Sequence, residues 1–240
     1  MYSVESIHLL IERLPILLQG SALVLGLGIL ALLVSLVLGM AIALCRLSSV
    51  RPLSYFGLAY TTIIRGIPEL VLLLLIFYSV PELINNWRFA RADELGIDIE
   101  PINFVPFWSG VIVIGIIYAA YMAETLRGAI MAVPFGQLEA AKAYGLSKAR
   151  IFWRITFPQM IRHALPGISN NWQVMLKATA LVSLIMLKDV VKIAKDAATA
   201  TGHQFTFLLF AGAVFLVFTS ASVLLFRYLE RRYSIGFIRK

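Results

Sequence analysis

Residues 14–45 read LPILLQGSALVLGLGILALLVSLVLGMAIALC, without a single charged side chain. A helix crosses the hydrocarbon core of a bilayer in about 20 apolar residues, so this stretch predicts one tilted membrane-spanning helix. The preceding residues carry Glu5, Glu12 and Arg13 and form no basic leader. The apolar run also exceeds a signal-peptide core, which has about 7–15 residues. We therefore expect this span to remain in the mature protein.

Four further apolar segments follow the first. Residues 101–123 and 197–226 carry no charge, whereas residues 52–81 are interrupted by Arg65 and Glu69 and residues 163–187 by Lys177. Together these segments predict five transmembrane helices in a single domain covering residues 1–240. The predicted spans are about 14–45, 52–81, 101–130, 163–187 and 197–226.

The composition excludes an ordinary soluble domain. Apolar types make up 60% of the 240 residues and charged types only 14%, where soluble domains carry about 25%. The same figures exclude a disordered chain, and a single cysteine excludes a disulfide scaffold. We therefore predict an all-α integral membrane protein.

The basic residues between the predicted spans indicate its orientation. Residues 46–51 carry two arginines and no acid, residues 127–162 carry six basic side chains against Glu139, and residues 82–100 carry five acids against two arginines. Because short basic loops stay in the cytoplasm, we expect a periplasmic N-terminus and a cytoplasmic C-terminus. The link over 188–196 fits its expected periplasmic location less well, since it holds three lysines. The net charge of +8 is explained by this topology and by the lipid bilayer, without nucleic acid as a partner.

Residues 134–158, which read PFGQLEAAKAYGLSKARIFWRITFP, predict two short helices with a sharp bend between them. Gly145 suits the left-handed backbone conformation that ends a helix, and Ser147 can cap the next helix. Such a projection could fit a groove on a partner protein. The alternative is a helix–turn–helix that only lies on the lipid surface.

The same stretch resembles the EAA loop of ABC importer permeases. The match comprises Glu139-Ala140-Ala141, Gly145 four positions later, and Ile155-Thr156-Phe157-Pro158, with Phe157 where that family usually has leucine. Further stretches resemble the polar amino acid permeases within it, and most closely the Q-type subunits of the histidine and basic amino acid group. They are RGIPELV at 65–71, YMAETLRG at 121–128, NNWQ at 170–173, LKATALVS at 176–183 and LERRY at 229–233.

The resemblance implies an ABC type I importer permease fold with a cytoplasmic EAA coupling helix, in a bacterial cell inner membrane. It implies four partners: a second homologous permease subunit, two copies of an ABC ATPase, and a periplasmic amino-acid-binding protein. ATP and Mg would be bound by the ATPase subunits, since this chain has no G-x-x-x-x-G-K-[S/T] loop. The expected ATPase contacts in this chain are Glu139, Ala140, Ala141 and Gly145.

Charged residues inside the predicted spans are candidates for a translocation path, because a charge in the bilayer is costly. Arg65 and Glu69 are four positions apart, which would place them on one helix face, and Gly66 and Pro68 between them predict an irregular backbone. The two charges could contact substrate, or could simply pair with each other.

Three further positions join this candidate path. Glu124 could pair with Arg127 three residues later, and Lys177 could pair with Glu69 or Glu124 or line the path itself. Tyr121, like Tyr118, could border a cavity.

The resemblance implies ATP-driven import of an amino acid, with histidine, arginine, lysine or ornithine as the expected substrates. The charged residues inside the predicted spans include no excess of acidic side chains that would favour a cationic substrate. An opine or another polar amino acid therefore remains an alternative. An ion-coupled secondary transporter is a second alternative, although no internal repeat supports it. An enzyme or scaffold is a third, but the sequence contains no catalytic constellation and no metal-binding cluster.

Overall fold

The computed structural model describes residues 2–102, 105–185 and 187–233. Residues 103 and 104 of the predicted span 101–130, residue 186 of the predicted span 163–187, and the end of the basic tail lie outside this description. Most of the described residues are helical, and none of them lies in a strand. Their helices are α1 (Tyr2–Arg46), α2 (Arg51–Gly66), α3 (Glu69–Leu95), α4 (Pro106–Met131), α5 (Phe135–Ala143), α6 (Lys148–Ile151), α7 (Phe157–Ala178), α8 (Val190–Thr201) and α9 (Gln204–Tyr233).

Three segments depart from α-helical geometry. A π-helical turn interrupts α3 at Leu75–Ser79, a second joins α6 to α7 at Phe152–Thr156, and a 3₁₀ segment follows α7 at Thr179–Ile185. Such turns leave backbone groups outside the regular α-helical pattern. They therefore mark positions where these long helices can change direction.

Four helices of the described ranges are long and apolar enough to cross a bilayer. They are α1 from Glu5 to Arg46, α3, α4 and α9. The predicted second span, 52–81, is divided between α2 and α3 at residues 67 and 68, and the candidate crossing in this region is Glu69–Leu95. The predicted fourth span, 163–187, is divided between α7 and the 3₁₀ segment. Polar side chains along one face of α7 lower its apolarity, so length and composition alone identify four crossings rather than the predicted five.

The first helix is the longest helix among the described residues. Its 45 residues extend about 67 Å, which is more than twice the thickness of the hydrocarbon core. Leu17, Val24 and Ala31 recur every seven residues and are completely buried. This spacing keeps one face of α1 against its neighbours along most of its length.

Helix α4 packs most closely against α1, and two glycines allow the approach. A Cβ atom built on Gly39 would lie 2.7 Å from Met122 Cβ, and one built on Gly115 would lie 2.5 Å from Val34 Cγ1. Small residues at such crossings let helix backbones come close and gain dispersion contacts. Helix α4 is consequently the most enclosed element, with Ile114, Ile117 and Tyr118 among its buried side chains.

A second packed unit forms where the first part of α1 meets α8 and α9. Leu17 and Val24 of α1 belong to one buried apolar cluster with Ala194 of α8 and Phe207 of α9. Asp189 begins α8 as its cap, and its Oδ1 accepts a hydrogen bond of 2.8 Å from the Lys192 amide. Burial raises the pKa of the Asp189 carboxyl to about 6, because the charged form loses water that the helix amides only partly replace.

Candidate functional site

The chain breaks its helix between Arg65 and Glu69. Ile67 has an extended backbone with φ −105° and ψ 139°, and Pro68 has φ −55° and ψ 133°. A proline disfavours helical geometry in the residue before it and lacks an amide hydrogen, so α2 ends at Gly66 and α3 starts at Glu69. The expectation that Arg65 and Glu69 share one helix face is therefore wrong, because no helix continues between them.

Each of these two charges is instead held by a tyrosine of α4. The Arg65 guanidinium carbon lies 5.5 Å from the centroid of the Tyr121 ring, and Glu69 Oε2 accepts a hydrogen bond of 2.9 Å from the Tyr118 hydroxyl. The two tyrosine rings are neighbours, with centroids 5.5 Å apart. No ion pair between Arg65 and Glu69 occurs in the part of the chain that the structure describes.

Glu124, one turn of α4 after Tyr121, is the centre of an ionic cluster. Its Oε2 accepts hydrogen bonds from Arg127 Nη2 at 2.9 Å and Nε at 3.1 Å, which is the pair that the sequence suggested. Its Oε1 pairs with Arg46 Nη1, and that nitrogen also donates to Thr61 Oγ1 at 2.8 Å. The Glu124 and Arg46 side chains are only about one fifth exposed. The cluster thus ties the end of α1 to α2 and α4.

A polar cavity of about 440 Å³ opens beside these groups. Its lining combines two guanidiniums, two threonine hydroxyls, a phenol and a carboxylate, from Arg46, Thr61, Thr62, Arg65, Gly66, Tyr121 and Glu124. A volume of this order suits a small polar molecule. The guanidiniums and hydroxyls can hold a carboxylate, while the acidic groups of Glu124 and neighbouring Glu69 can attract a cation.

These groups form a continuous polar stripe along α4. Tyr118, Tyr121, Glu124 and Arg127 are spaced three residues apart, so each lies one turn from the preceding one, and the stripe winds partly around α4 as it advances. The stripe extends about 14 Å along the helix axis. Since polar side chains at this depth are tolerated only away from lipid, the residues of this stripe must meet protein or water.

Arg46 and Thr61 are site residues that the sequence analysis missed. Arg46 directly follows the charge-free run 14–45, and it was counted there only as a cytoplasmic loop charge. Its position at the end of that run was a usable signal, since a charge there lies next to the membrane. The identity of its partners could not be read from the sequence, because Glu124 is 78 positions away.

Lys177 does not join this cluster. It is exposed near the end of α7, and within residues 2–102, 105–185 and 187–233 no acidic side chain forms an ion pair with it. The suggested pairs with Glu69 and Glu124 are therefore not formed within this chain. In the same ranges, no three His, Cys, Asp or Glu side chains are grouped so that they could hold a metal ion.

The loop at 134–158 folds as the two short helices that its sequence predicts. Gly145 has φ 74°, and the Leu146 amide donates to the Ala141 carbonyl at 3.1 Å across the bend. Ser147 Oγ accepts from the Arg150 amide at 3.5 Å, as expected of a cap. Of the three residues at the EAA position, Glu139 and Ala140 are exposed, whereas Ala141 is buried within this chain.

Large apolar side chains also project around this loop, and the sequence analysis did not single them out. Phe135 is 64% exposed, Tyr144 87% and Trp153 62%, and we call these three residues the loop aromatic surface. The signal available in the sequence was the presence of aromatic residues among the many charged residues of this loop. Exposed aromatic groups of this size are typical of protein-binding surfaces.

Comparison with known proteins gives several matches. Residues 35–235 match the family described as "Binding-protein-dependent transport system inner membrane component". The chain is 47% identical to the histidine/lysine/arginine/ornithine transport system permease protein HisQ of Salmonella typhimurium, over 92% of this chain and 94% of that protein. It is 41% identical to the arginine ABC transporter permease protein ArtQ of Escherichia coli, over 89% and 93%.

A solved structure described as an amino acid ABC transporter with histidines is 31% identical, with a TM-score of 0.76. The alignment covers 93% of this chain and 96% of that one. These matches support an ATP-driven importer over the ion-coupled alternative. By its sequence and its fold, the chain belongs to the family of binding-protein-dependent transport system inner membrane components.

Proposed function

We infer that this chain is a permease subunit of an ATP-driven importer for amino acids with basic side chains: histidine, arginine, lysine or ornithine. The relatives named for these substrates support this, since the chain matches them over nearly its whole length. The polar stripe on α4 and its cavity are the structural observation that carries the proposal. A stripe of this kind, on a helix that is otherwise apolar, provides a route for a polar solute.

In this route Glu69 attracts the cationic side chain and Arg65 the carboxylate of the amino acid. The two groups lie on either side of the helix break, and each is oriented by a tyrosine. Tyr121, Glu124 and Lys177 complete the path. An irregular backbone at this depth also supports a wet route, because unpaired backbone groups require water or protein.

The path requires α7 as a fifth crossing. Helix α7 packs its buried residues Trp172, Met175 and Leu176 into the same core as Leu27 of α1 and Ile114 of α4. Because α7 shares this core with membrane-spanning helices, we place it within the bilayer despite the polar side chains on one of its faces. The N-terminus is then periplasmic and the loop at 134–158 cytoplasmic, as the basic residues favour.

The loop transmits the motion of the ATPase. Glu139, Ala140 and the loop aromatic surface offer an exposed, rigid docking element, and α5 is joined to α4 by only three residues, 132–134. Closure of two ATPase subunits on ATP and Mg would move this element and, through α4, the polar stripe. A second permease subunit and a periplasmic binding protein complete the assembly.

Reconstitution tests the proposal. The chain is purified with its co-expressed neighbours, placed in proteoliposomes, and supplied with binding protein and labelled amino acids. We expect uptake of arginine, lysine, histidine or ornithine that depends on both ATP and the binding protein. Uptake that continues without ATP, and requires only an ion gradient, would reject the proposal.

A further inference from the structure

Three basic side chains project from the start of the helical stretch that continues into α7. Lys148, Arg150 and Arg154 are exposed, and we call these three residues the basic edge. The backbone stays helical from α6 through the π-helical turn into α7. Ile151, which is buried, holds this stretch against the rest of the chain. The basic edge is therefore fixed at its base, while its charged ends are accessible to a ligand.

Packing places the basic edge at the surface of the predicted bilayer. Phe157 packs against the buried apolar cluster that contains Ala43, near the end of the charge-free run 14–45. At 1.5 Å per residue, Arg154 and Arg150 lie about 5 and 10 Å beyond Phe157 along the helix. The headgroup layer adds about 5–8 Å to each side of the hydrocarbon core. The two guanidiniums therefore lie near the level of the lipid phosphates.

Within the part of the chain that the structure describes, no acidic residue forms an ion pair with the basic edge. The basic members of the ion pairs found there are Arg46, Arg91, Arg127 and Lys192. Residues 140–188 contain no Asp or Glu. The buried Asp189 Oδ2 has no hydrogen-bond partner, but Asp189 lies beside Gly20, about 35 Å along α1 from Ala43. The counter-charge of the basic edge is therefore expected from outside the chain.

Resting on the proposed function, which makes the loop at 134–158 cytoplasmic, we propose that the basic edge binds the phosphate headgroups of anionic lipids in the cytoplasmic leaflet. Guanidinium groups form paired hydrogen bonds with phosphate oxygens, and Lys148 adds a third positive charge. Arg150 and Arg154 are four positions apart and so lie about one helical turn from each other. Anionic lipid thereby anchors the start of α7, together with the loop before it, and increases ATP-driven uptake.

A lipid headgroup suits this position better than an acidic surface of the ATPase. The proposed ATPase contacts Glu139 and Ala140 are on α5, whereas the basic edge belongs to the helical stretch that continues into the bilayer. Long basic side chains at such a level place their stems along apolar surface and their charged ends in the headgroup layer. Anionic lipids give the cytoplasmic leaflet the negative potential that attracts them.

Native mass spectrometry of the intact importer tests binding. The complex is assembled with its co-expressed neighbours in nanodiscs of equimolar phosphatidylglycerol and phosphatidylcholine, and the retained lipids are counted. We expect Arg150→Gln/Arg154→Gln to retain at most about half the phosphatidylglycerol of the unchanged complex. Arg150→Lys/Arg154→Lys keeps both charges and should retain most of it. The control Arg91→Gln/Lys195→Gln, which removes two exposed charges elsewhere, should match the unchanged complex. Equal retention by the glutamine variant and the control overturns the proposal.

A second measurement needs no variant. Salt screens the attraction between exposed charges, so we expect high salt to lower the phosphatidylglycerol retained by the unchanged complex more than the phosphatidylcholine. An equal effect on the two lipids would count against a headgroup contact and would overturn the proposal.

Uptake separates the lipid from the ATPase as the partner. We expect phosphatidylglycerol to raise ATP-driven arginine uptake roughly threefold in proteoliposomes of the unchanged complex and of the control, but not of the glutamine variant. A glutamine variant that loses the ATPase in every lipid overturns the proposal in favour of a protein contact. Absence of arginine uptake by the unchanged complex, alongside reduced lipid retention by the glutamine variant, rejects only the proposed function.

Discussion

Arg46 and Glu124 form an ion pair although 78 positions of sequence separate them. The pair joins the end of α1 to α4, and Arg127 and Thr61 complete its hydrogen bonds. Because both partners are largely shielded from water, the attraction is stronger than at an exposed surface. The cluster holds together the end of the bundle from which the loop at 134–158 projects.

Loss of this pair should lower stability. We expect Arg46→Ala and Glu124→Gln to be coupled by about 1–3 kcal/mol in a double-mutant cycle, because either change removes the same partly buried ion pair. Thermal unfolding of the detergent-solubilised single and double variants measures this coupling energy. Arg91→Ala is the control, since its pair with Glu94 is about two-thirds exposed and should contribute little. Simple additivity would contradict the structure.

The tyrosines, rather than a direct contact, should couple the two charges at the helix break. We expect Tyr118→Phe and Glu69→Gln to be non-additive in arginine uptake, because Tyr118→Phe removes the 2.9 Å hydrogen bond and Glu69→Gln weakens it by replacing a charged acceptor with a neutral one. The pair Arg65→Ala and Glu69→Gln should show weaker coupling. Uptake assays in proteoliposomes compare the two cycles, and a stronger Arg65–Glu69 coupling would argue for a direct pair.

The loop should be essential for transport but not for insertion. Glu139 is exposed, so we expect Glu139→Arg to leave the protein in the membrane while reducing ATP-driven uptake and co-purification of the ATPase at least tenfold. Gly145→Val should have the same effect, since valine is strained at φ 74°. Asp98→Arg, an equal charge change on another exposed loop, serves as the control. Normal uptake by both loop variants would refute the coupling role.

The close approach of α1 and α4 should make Gly39 intolerant of a side chain. A Cβ atom there would lie 2.7 Å from Met122 Cβ, so we expect Gly39→Ala to cost about 1–3 kcal/mol. Gly212→Ala on α9 meets no atom within 4 Å and should be neutral or slightly stabilising. Melting temperatures of the two variants provide the comparison, and equal values would show that the crossing is looser than described.

Asp189 predicts a pH dependence with a definite sign. Burial raises the pKa of its carboxyl from 3.8 to about 6, so the folded state favours the neutral acid. This stabilisation is complete below pH 3.8 and is lost as the pH rises through 6, a change of at most about 3 kcal/mol. We expect Asp189→Asn, which keeps the cap, to lose less stability between pH 4.5 and 7.5 than the unchanged protein. An equal loss in both would contradict it.

The helical class, the long apolar segments and the bend in the loop could all be predicted from the sequence. They depend on local properties: the absence of charge over 14–45, and the backbone freedom of Gly145. The helix break at Ile67–Pro68 is local in the same sense, and the irregular backbone expected there is present. The expectation that Arg65 and Glu69 share one helix face was wrong, because it applied helical spacing across Pro68, where the helix is interrupted.

The partners of each charge were decided only by the tertiary structure. Arg46 meets Glu124, and Glu69 meets Tyr118, because α4 packs beside α1, α2 and α3. Such pairs join residues far apart in the chain, and hydropathy and helical period hold no information about which helices become neighbours. The sequence therefore determined what must be buried in a membrane, whereas packing between helices decided which polar groups meet there.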